Sequence, residues 1–208
     1  MTSPIQNCYK NPHARLWETT LTLSYYEIIE YFNMTTAQQI IELFGMKPLP
    51  NEGGFYIETY RCREKLAQAG LPAPRVLLSQ DSSGGDRNLC TAILYLLTPD
   101  TFSALHRVKS DEIFHFYLGG PVTMLQLHPD GSSEVATLGQ DIFNGHRVQV
   151  IVPHGAWQGC LLNPGGKFAL MGTTVAPGFD FADFEVADRR KLLKQYPTHR
   201  DLIIRLTR

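Results

Sequence analysis

An antiparallel β-barrel or β-sandwich with short flanking helices is the fold class this sequence predicts, and three observations predict it. Between residues 51 and 179, short runs rich in aromatic and β-branched residues follow one another at close spacing. Turn chemistry separates them: Ser82-Ser83-Gly84-Gly85, Gly119-Gly120, Pro129-Asp130-Gly131 and Asn163-Pro164-Gly165-Gly166. Glycine there supplies positive φ, and proline presets φ at the first corner. Helical periodicity is confined to the two ends, so nothing supports the strand–helix alternation of a parallel sheet.

The elements follow in order. The first 35 residues are set apart as an N-terminal extension, in which LTLSYYEIIEYF (residues 21–32) has apolar spacing compatible with helix or strand. A domain over residues 36–208 begins with a helix, TAQQIIELF. Thr36 and Gln39 form a capping-box pattern at its start, Gly45 ends it, and Pro48 and Pro50 prevent its resumption. The predicted strands are GFYIETYR, RVLLSQ, CTAILYLL, EIFHFYL, VTMLQLH, RVQVIV, GCLLN and KFALMGTTV. Past Asp183 the pattern returns to helix in VADRRKLLKQY and, beyond Pro197, in THRDLIIRLT.

Composition bounds the function. Of the 208 residues 43% are hydrophobic, enough to bury a core, and 19 basic against 20 acidic side chains leave a net charge of -1. Neither nucleic acid nor an anionic membrane surface is attracted by such a chain, and no Lys/Arg run offers a local exception. No stretch approaches the roughly 20 apolar residues of a membrane helix, and the N-terminus lacks the pattern of a secretory signal. Cys8, Cys62, Cys90 and Cys160 are scattered, as expected of a reduced cytoplasmic protein. The motifs of phosphate loops, dinucleotide folds, serine hydrolases and zinc proteases are missing. A small, uncharged or mildly polar ligand is the partner this leaves.

Chemistry concentrates in residues 101–121, TFSALHRVKSDEIFHFYLGGP. On a strand alternate side chains share a face, so His106 points with Val108, and Glu112 with Phe114 and Phe116. If the Lys109-Ser110-Asp111 turn folds one strand onto its neighbour, His106 and Glu112 meet inside the barrel. A carboxylate and an imidazole on an aromatic face are costly unless paired or used, which makes them a candidate site. His115 is out of phase and is expected to face a partner sheet or subunit, and His154 sits in an exposed turn.

The same run resembles the first cupin motif at His106, Glu112 and Gly119, with Val108 in place of the second histidine and Asp100 in place of the leading glycine. VPHGAWQGCLLN resembles the second motif at Pro153 and Gly155, but Gln158 stands where a histidine belongs, Arg147 replaces the first glycine, and Leu162 takes the asparagine position. Together with GGFYIETYR, LGQD and TTVAPGFDFADFE, these strings are similar to the cupin type-5 family over residues 36–190. The resemblance implies a germin-like or sugar-epimerase-like jelly roll (a double-stranded β-helix), usually dimeric, with no firmly assigned reaction. It also implies a ligand shell of three histidines and one glutamate, of which only His106 and Glu112 are kept. The sequence demands no cofactor. The resemblance allows a weakly held divalent ion (Zn, Mn, Fe or Ni) on His106, Glu112 and Gln158.

The sequence-based expectation is therefore a homodimeric cupin with a small polar, carbohydrate-like or nucleotide-sugar-like ligand in its barrel. His106 and Glu112 are the expected acid–base pair of an isomerase or epimerase, with Tyr60 or Tyr95 returning a proton. Gln158, Phe114, Phe116, Tyr60, Arg61 and Trp157 are the expected ligand contacts; Phe114 and Phe116 are core residues first, an inter-strand pair explains Tyr60 and Arg61 as well, and packing on the barrel as a turn residue explains Trp157 equally. A non-catalytic binding protein and a metal-dependent oxygenase are the competing readings.

Overall fold

The computed structural model describes residues 35–66 and 87–208. The N-terminal extension and the predicted strand at residues 75–80 lie outside the described residues. The helix expected at the start of the domain is α1, Ala37–Phe44, with both halves of the Thr36/Gln39 capping box formed and Gly45 left-handed at its end.

The strands are β1 (Lys47–Pro48), β2 (Phe55–Arg61), β3 (Lys65–Leu66), β4 (Arg87–Asn88), β5 (Thr91–Leu97), β6 (Phe102–Arg107) and β7 (Asp111–Gly119). They continue with β8 (Val122–Leu127), β9 (Ser133–Leu138), β10 (Gln149–Val152), β11 (Trp157–Leu162), β12 (Ala169–Ala176) and β13 (Glu185–Val186). Helices α2 (Arg189–Gln195) and α3 (Arg200–Arg205) close the chain. A six-stranded sheet, β1-β2-β5-β12-β7-β10, faces a five-stranded one, β13-β6-β11-β8-β9, and every pairing within them is antiparallel. This is the jelly roll the sequence predicts. Six of the described strands, β1, β3, β4, β6, β9 and β13, lie outside the predicted strand runs. In β9 only Ala136 and Leu138 reach the core, and β13 is two residues long, so neither carries the aromatic and β-branched signal.

Side chains sort into three layers. Between the sheets lie Phe114, Phe116, Val122, Met124, Leu138, Val150, Cys160 and Met171, among others. On the outer face of the small sheet, Leu105, Leu125, Leu127 and Leu161 are covered by Leu192, Tyr196, Ile203 and Leu206 of the C-terminal helices. On the large sheet, Leu96 and Leu170 are covered by Ile40 and Met46, from α1 and the residues after it. The helices thus exist to bury sheet faces that alternate apolar on both sides.

One expectation is corrected. The turn after β6 does not fold that strand onto its hydrogen-bonded neighbour: β6 belongs to the small sheet and β7 to the large one. His106 and Glu112 approach each other across the barrel interior, not along a ladder.

Candidate functional site

Two β-bulges aim the polar side chains inward. In β6, Cys160 faces Ser103 while Gln158 faces His106, so three residues of β6 span what two span on β11. Ser103 and His106 therefore share the inner face, which simple alternation forbids. In β2 the register slips between Glu58 and Tyr60, so that Glu58 lies opposite Ile93 and Arg61 opposite Thr91. Ile93 and Thr91 line the cavity, and Glu58 and Arg61 follow them to its wall. Tyr60 is thereby turned outward and is 52% exposed.

A tight loop supplies a residue the sequence reading missed. Asn51, Gly53 and Gly54 all have positive φ, and a Cβ on Gly53 would stand 2.4 Å from the Phe102 carbonyl oxygen. The chain can press against β6 only because that side chain is absent. The Tyr95 hydroxyl donates to the Gly53 carbonyl (2.9 Å), and Ala104 N–H donates to that of Glu52 (2.9 Å). Glu52 is carried into the interior, where Ser103 Oγ donates to its Oε1 at 2.8 Å. Three positive-φ positions around a lone acidic residue were the available signal.

At the floor, Gln158 Nε2 donates to Glu112 Oε2 and stands 3.3 Å from His106 Nε2. His106 Nδ1 lies 2.7 Å from the Ala104 carbonyl oxygen. A carbonyl only accepts, so Nδ1 carries a proton and Nε2 is the ring nitrogen turned to the interior. Glu52 Oε2 is 3.8 Å from that nitrogen, and Phe184 stacks on the ring with centroids 4.9 Å apart. His106, Glu112 and Gln158 are all buried. Burial pushes the Glu112 carboxyl above its ordinary value; His106, Gln158 and Thr173 pull the other way without cancelling it.

These groups end a cavity of about 330 Å³. Its walls are Leu49, Tyr56, Ile93, Val108, Val175 and Phe184, and its exposed side is lined by Phe179 and Phe181 with Arg61 and Asp180. Arg61 is held in place by Glu58 (2.7 Å), Asn88 and the Phe179 carbonyl. Of the expected contacts, His106, Glu112 and Arg61 reach the cavity and Gln158 braces its floor. Phe114 and Phe116 do not line it: they are packed in the core between the sheets. Trp157 points to the other side of the small sheet, beneath the Arg107 guanidinium at 4.5 Å. The aromatic wall comes instead from the F-D-F-A-D-F run after β12, where three phenylalanines outside any predicted strand were the available signal.

The donor set does not fit a three-imidazole metal shell. Val108 presents methyl groups to the cavity where the second imidazole would stand, and Gln158 turns an amide nitrogen, not an imidazole, toward Glu112 where the third would stand. Among the described residues no three His, Cys, Asp or Glu side chains group closely enough to hold an ion. None of their helices is long and apolar enough to cross a membrane.

The family model of the cupin superfamily group Cupin_5 (DUF985) matches residues 38–187. The chain belongs to this cupin family. It is 32% identical over 140 residues to the uncharacterised protein YML079W of Saccharomyces cerevisiae, an alignment covering 64% of this cupin and 66% of the yeast protein. Among solved structures, protein SO0799 of Shewanella oneidensis is 33% identical, with a TM-score of 0.69 over 84% of this chain and 99% of that one. A hypothetical protein of Leishmania major is 28% identical, with a TM-score of 0.70 over 83% of this chain and 99% of its own.

Proposed function

We propose that this cupin binds a small, neutral, hydroxylated molecule of sugar size and moves a proton on it, as an isomerase or epimerase does. The observation that carries the reading is the convergence of His106 Nε2 with the Glu112 and Glu52 carboxyls at the end of an otherwise apolar cavity. Three desolvated polar groups in one place lower the cost of burying hydroxyls and set up proton transfer. In the proposed step, His106 Nε2 takes a proton from a carbon α to a carbonyl. Glu112, whose carboxyl burial pushes above its ordinary value, gives its proton to the developing enolate oxygen. Collapse of the enediol returns both protons. Tyr95 is a poor donor here, since its hydroxyl is committed to Gly53 and burial keeps it from ionising.

Charge narrows the substrate. Glu52, Glu58 and Asp180 line the cavity; Arg61 is already neutralised by Glu58, and Asp180 pairs with Arg87 at 3.2 Å, which leaves the charge of Glu52. A nucleotide-sugar diphosphate would meet charge of its own sign. The oxygenase reading needs an ion that these donors do not suit. A thermal-shift screen of neutral monosaccharides and polyols, run beside phosphorylated ones, is expected to give hits among the neutral compounds. Hits that exchange a carbon-bound proton with solvent D₂O support catalysis; hits without exchange leave a binding protein, and hits confined to phosphorylated compounds overturn the substrate class.

A separate observation supports the expected homodimer. On the outer face of β7 and β10, Tyr117 and Ile151 are exposed, and among the described residues no helix covers them. His115 lies among them, within 3.2 Å of Thr174 Oγ1 and 3.3 Å of Gln149 Nε2. Light scattering is expected to give a dimer, and a monomer across micromolar concentrations would refute it.

A further inference from the structure

We infer that Cys62 and Cys90 form a redox-active dithiol, a modification site that closes to a disulfide across the ends of β2 and β5 when it meets a peroxide. Their separation in sequence hides this, but the register sets it. Tyr60 pairs with Ala92 and Arg61 with Thr91, and Cys62 N–H donates to the Cys90 carbonyl at 2.9 Å, forming the next rung. Residues directly opposite in an antiparallel pair have Cα atoms about 4.5–5.5 Å apart, inside the roughly 4.4–6.8 Å that a disulfide spans.

Parity puts both thiols on one face. Thr91 is buried against the cavity, so its neighbour Cys90 projects from the opposite face. Arg61 reaches the cavity mouth, so Cys62 likewise projects outward, with Tyr60. Both cysteines are half-buried, within reach of a small oxidant. Cys160 shows the contrast: it is fully enclosed in the core, and burial keeps its thiol from ionising. Burial and the neighbouring Cys62 also push the Cys90 thiol up, in keeping with two sulfurs side by side.

The site backs directly onto the cavity mouth. Asn88 Nδ2 donates to the Cys62 carbonyl (2.6 Å), while Asn88 Oδ1 accepts from Arg61 Nη1 (3.1 Å). Arg61 in turn donates to the Phe179 carbonyl. A covalent link between Cys62 and Cys90 fixes the end of β2 to β5 at the point from which Arg61, Asn88 and Phe179 are held.

The chemistry balances with one peroxide. One sulfur attacks a peroxide oxygen, the O–O bond breaks, and water leaves with the thiol proton, giving a sulfenic acid. The second sulfur attacks the first, the S–S bond forms, the S–O bond breaks, and a second water departs. Two thiols are oxidised and one hydrogen peroxide is reduced.

The test uses the full, reduced chain treated with hydrogen peroxide. Titratable thiols are expected to fall from the four in the sequence to two, with the intact mass short by two hydrogens and a non-reducing peptide map joining Cys62 to Cys90. Dithiothreitol is expected to reverse the change, and the oxidised protein is expected to melt higher than the reduced one. Cys62→Ser and Cys90→Ser should each abolish the linkage. The inference is overturned if the map shows the two cysteines as separate thiols or separate sulfinic acids, or joined instead to Cys8, Cys160 or a second chain. The wild-type map decides the matter even if a serine variant fails to fold.

Discussion

The two ends of β7 face the same interior and do opposite things. At one end Glu112 reaches the cavity, its carboxyl bonded to Gln158 and close to His106. Four residues on, Phe116 sits with Phe114 against Val122, Met124 and Leu138 in a filled core. The strand, its parity and its inward direction are common to both. What differs is the opposing surface: a bulged β6 and the Asn51–Gly54 loop bring Ser103, His106 and Glu52 to one end, while regular β8 and β9 bring only apolar side chains to the other. One end is built for cohesion, and the other gives up cohesion to hold polar groups out of water.

Substitutions at the two ends should therefore fail differently. Phe114→Ala, in the filled end, is expected to cost about 3–5 kcal/mol, the range for removing a core aromatic, read from chemical denaturation. His106→Ala should cost less, about 1–3 kcal/mol, because it leaves the Ala104 carbonyl without its donor while Glu112 keeps Gln158. A cost for His106→Ala equal to that of Phe114→Ala would erase the distinction between the ends.

Glu112 adds a pH signature. Its folded-state value is raised above the unfolded one, so the folded state holds the proton more tightly. The stabilisation is full below the unfolded value of roughly 4.3 and is lost as pH rises through the folded value. Unfolding free energy followed upward from pH 4 is expected to fall on this account, and Glu112→Gln should flatten that slope while retaining a partner for Gln158. An unchanged slope would place the titration elsewhere. The smallest effect is expected at the mouth. Arg61 and Glu58 are both about two-fifths exposed, so solvent screens the pair and Arg61→Ala should change stability by no more than about 1 kcal/mol. Ligand entry, measured as an association rate, should change more.

This contrast also explains what the sequence revealed. The filled end was legible: alternating apolar residues in β5, β7, β8 and β12 announce buried strands directly, and the capping box at Thr36 and the left-handed Gly45 mark α1 without ambiguity. At the cavity end, the pairing of His106 with Gln158 was readable from motif spacing, because both fall on strands. Glu52 was not, since it arrives on a loop, and a loop residue has no periodicity to betray its direction. Phe179, Phe181 and Phe184 escaped for the same reason. Phe114 and Phe116 are core residues, the first of their two sequence readings; the second, ligand contact, fails because parity tells which face is inner, not how far along the barrel the cavity extends. Tyr60 and Arg61 could not be separated until the bulge in β2 turned one out and the other in. The sequence therefore shows what is regular, and the irregular backbone that builds the site is visible only in three dimensions.

The central claim is that His106 acts as a base at the floor of the cavity, and its most direct test is His106→Gln, assayed for exchange of a carbon-bound ligand proton with D₂O. Glutamine keeps hydrogen-bonding capacity and similar bulk but cannot accept the proton at neutral pH. The account predicts a folded variant whose unfolding midpoint stays close to that of the parent, with ligand binding weakened and proton exchange abolished. Exchange at the parental rate on the same ligand would contradict it and leave the cavity a binding site only.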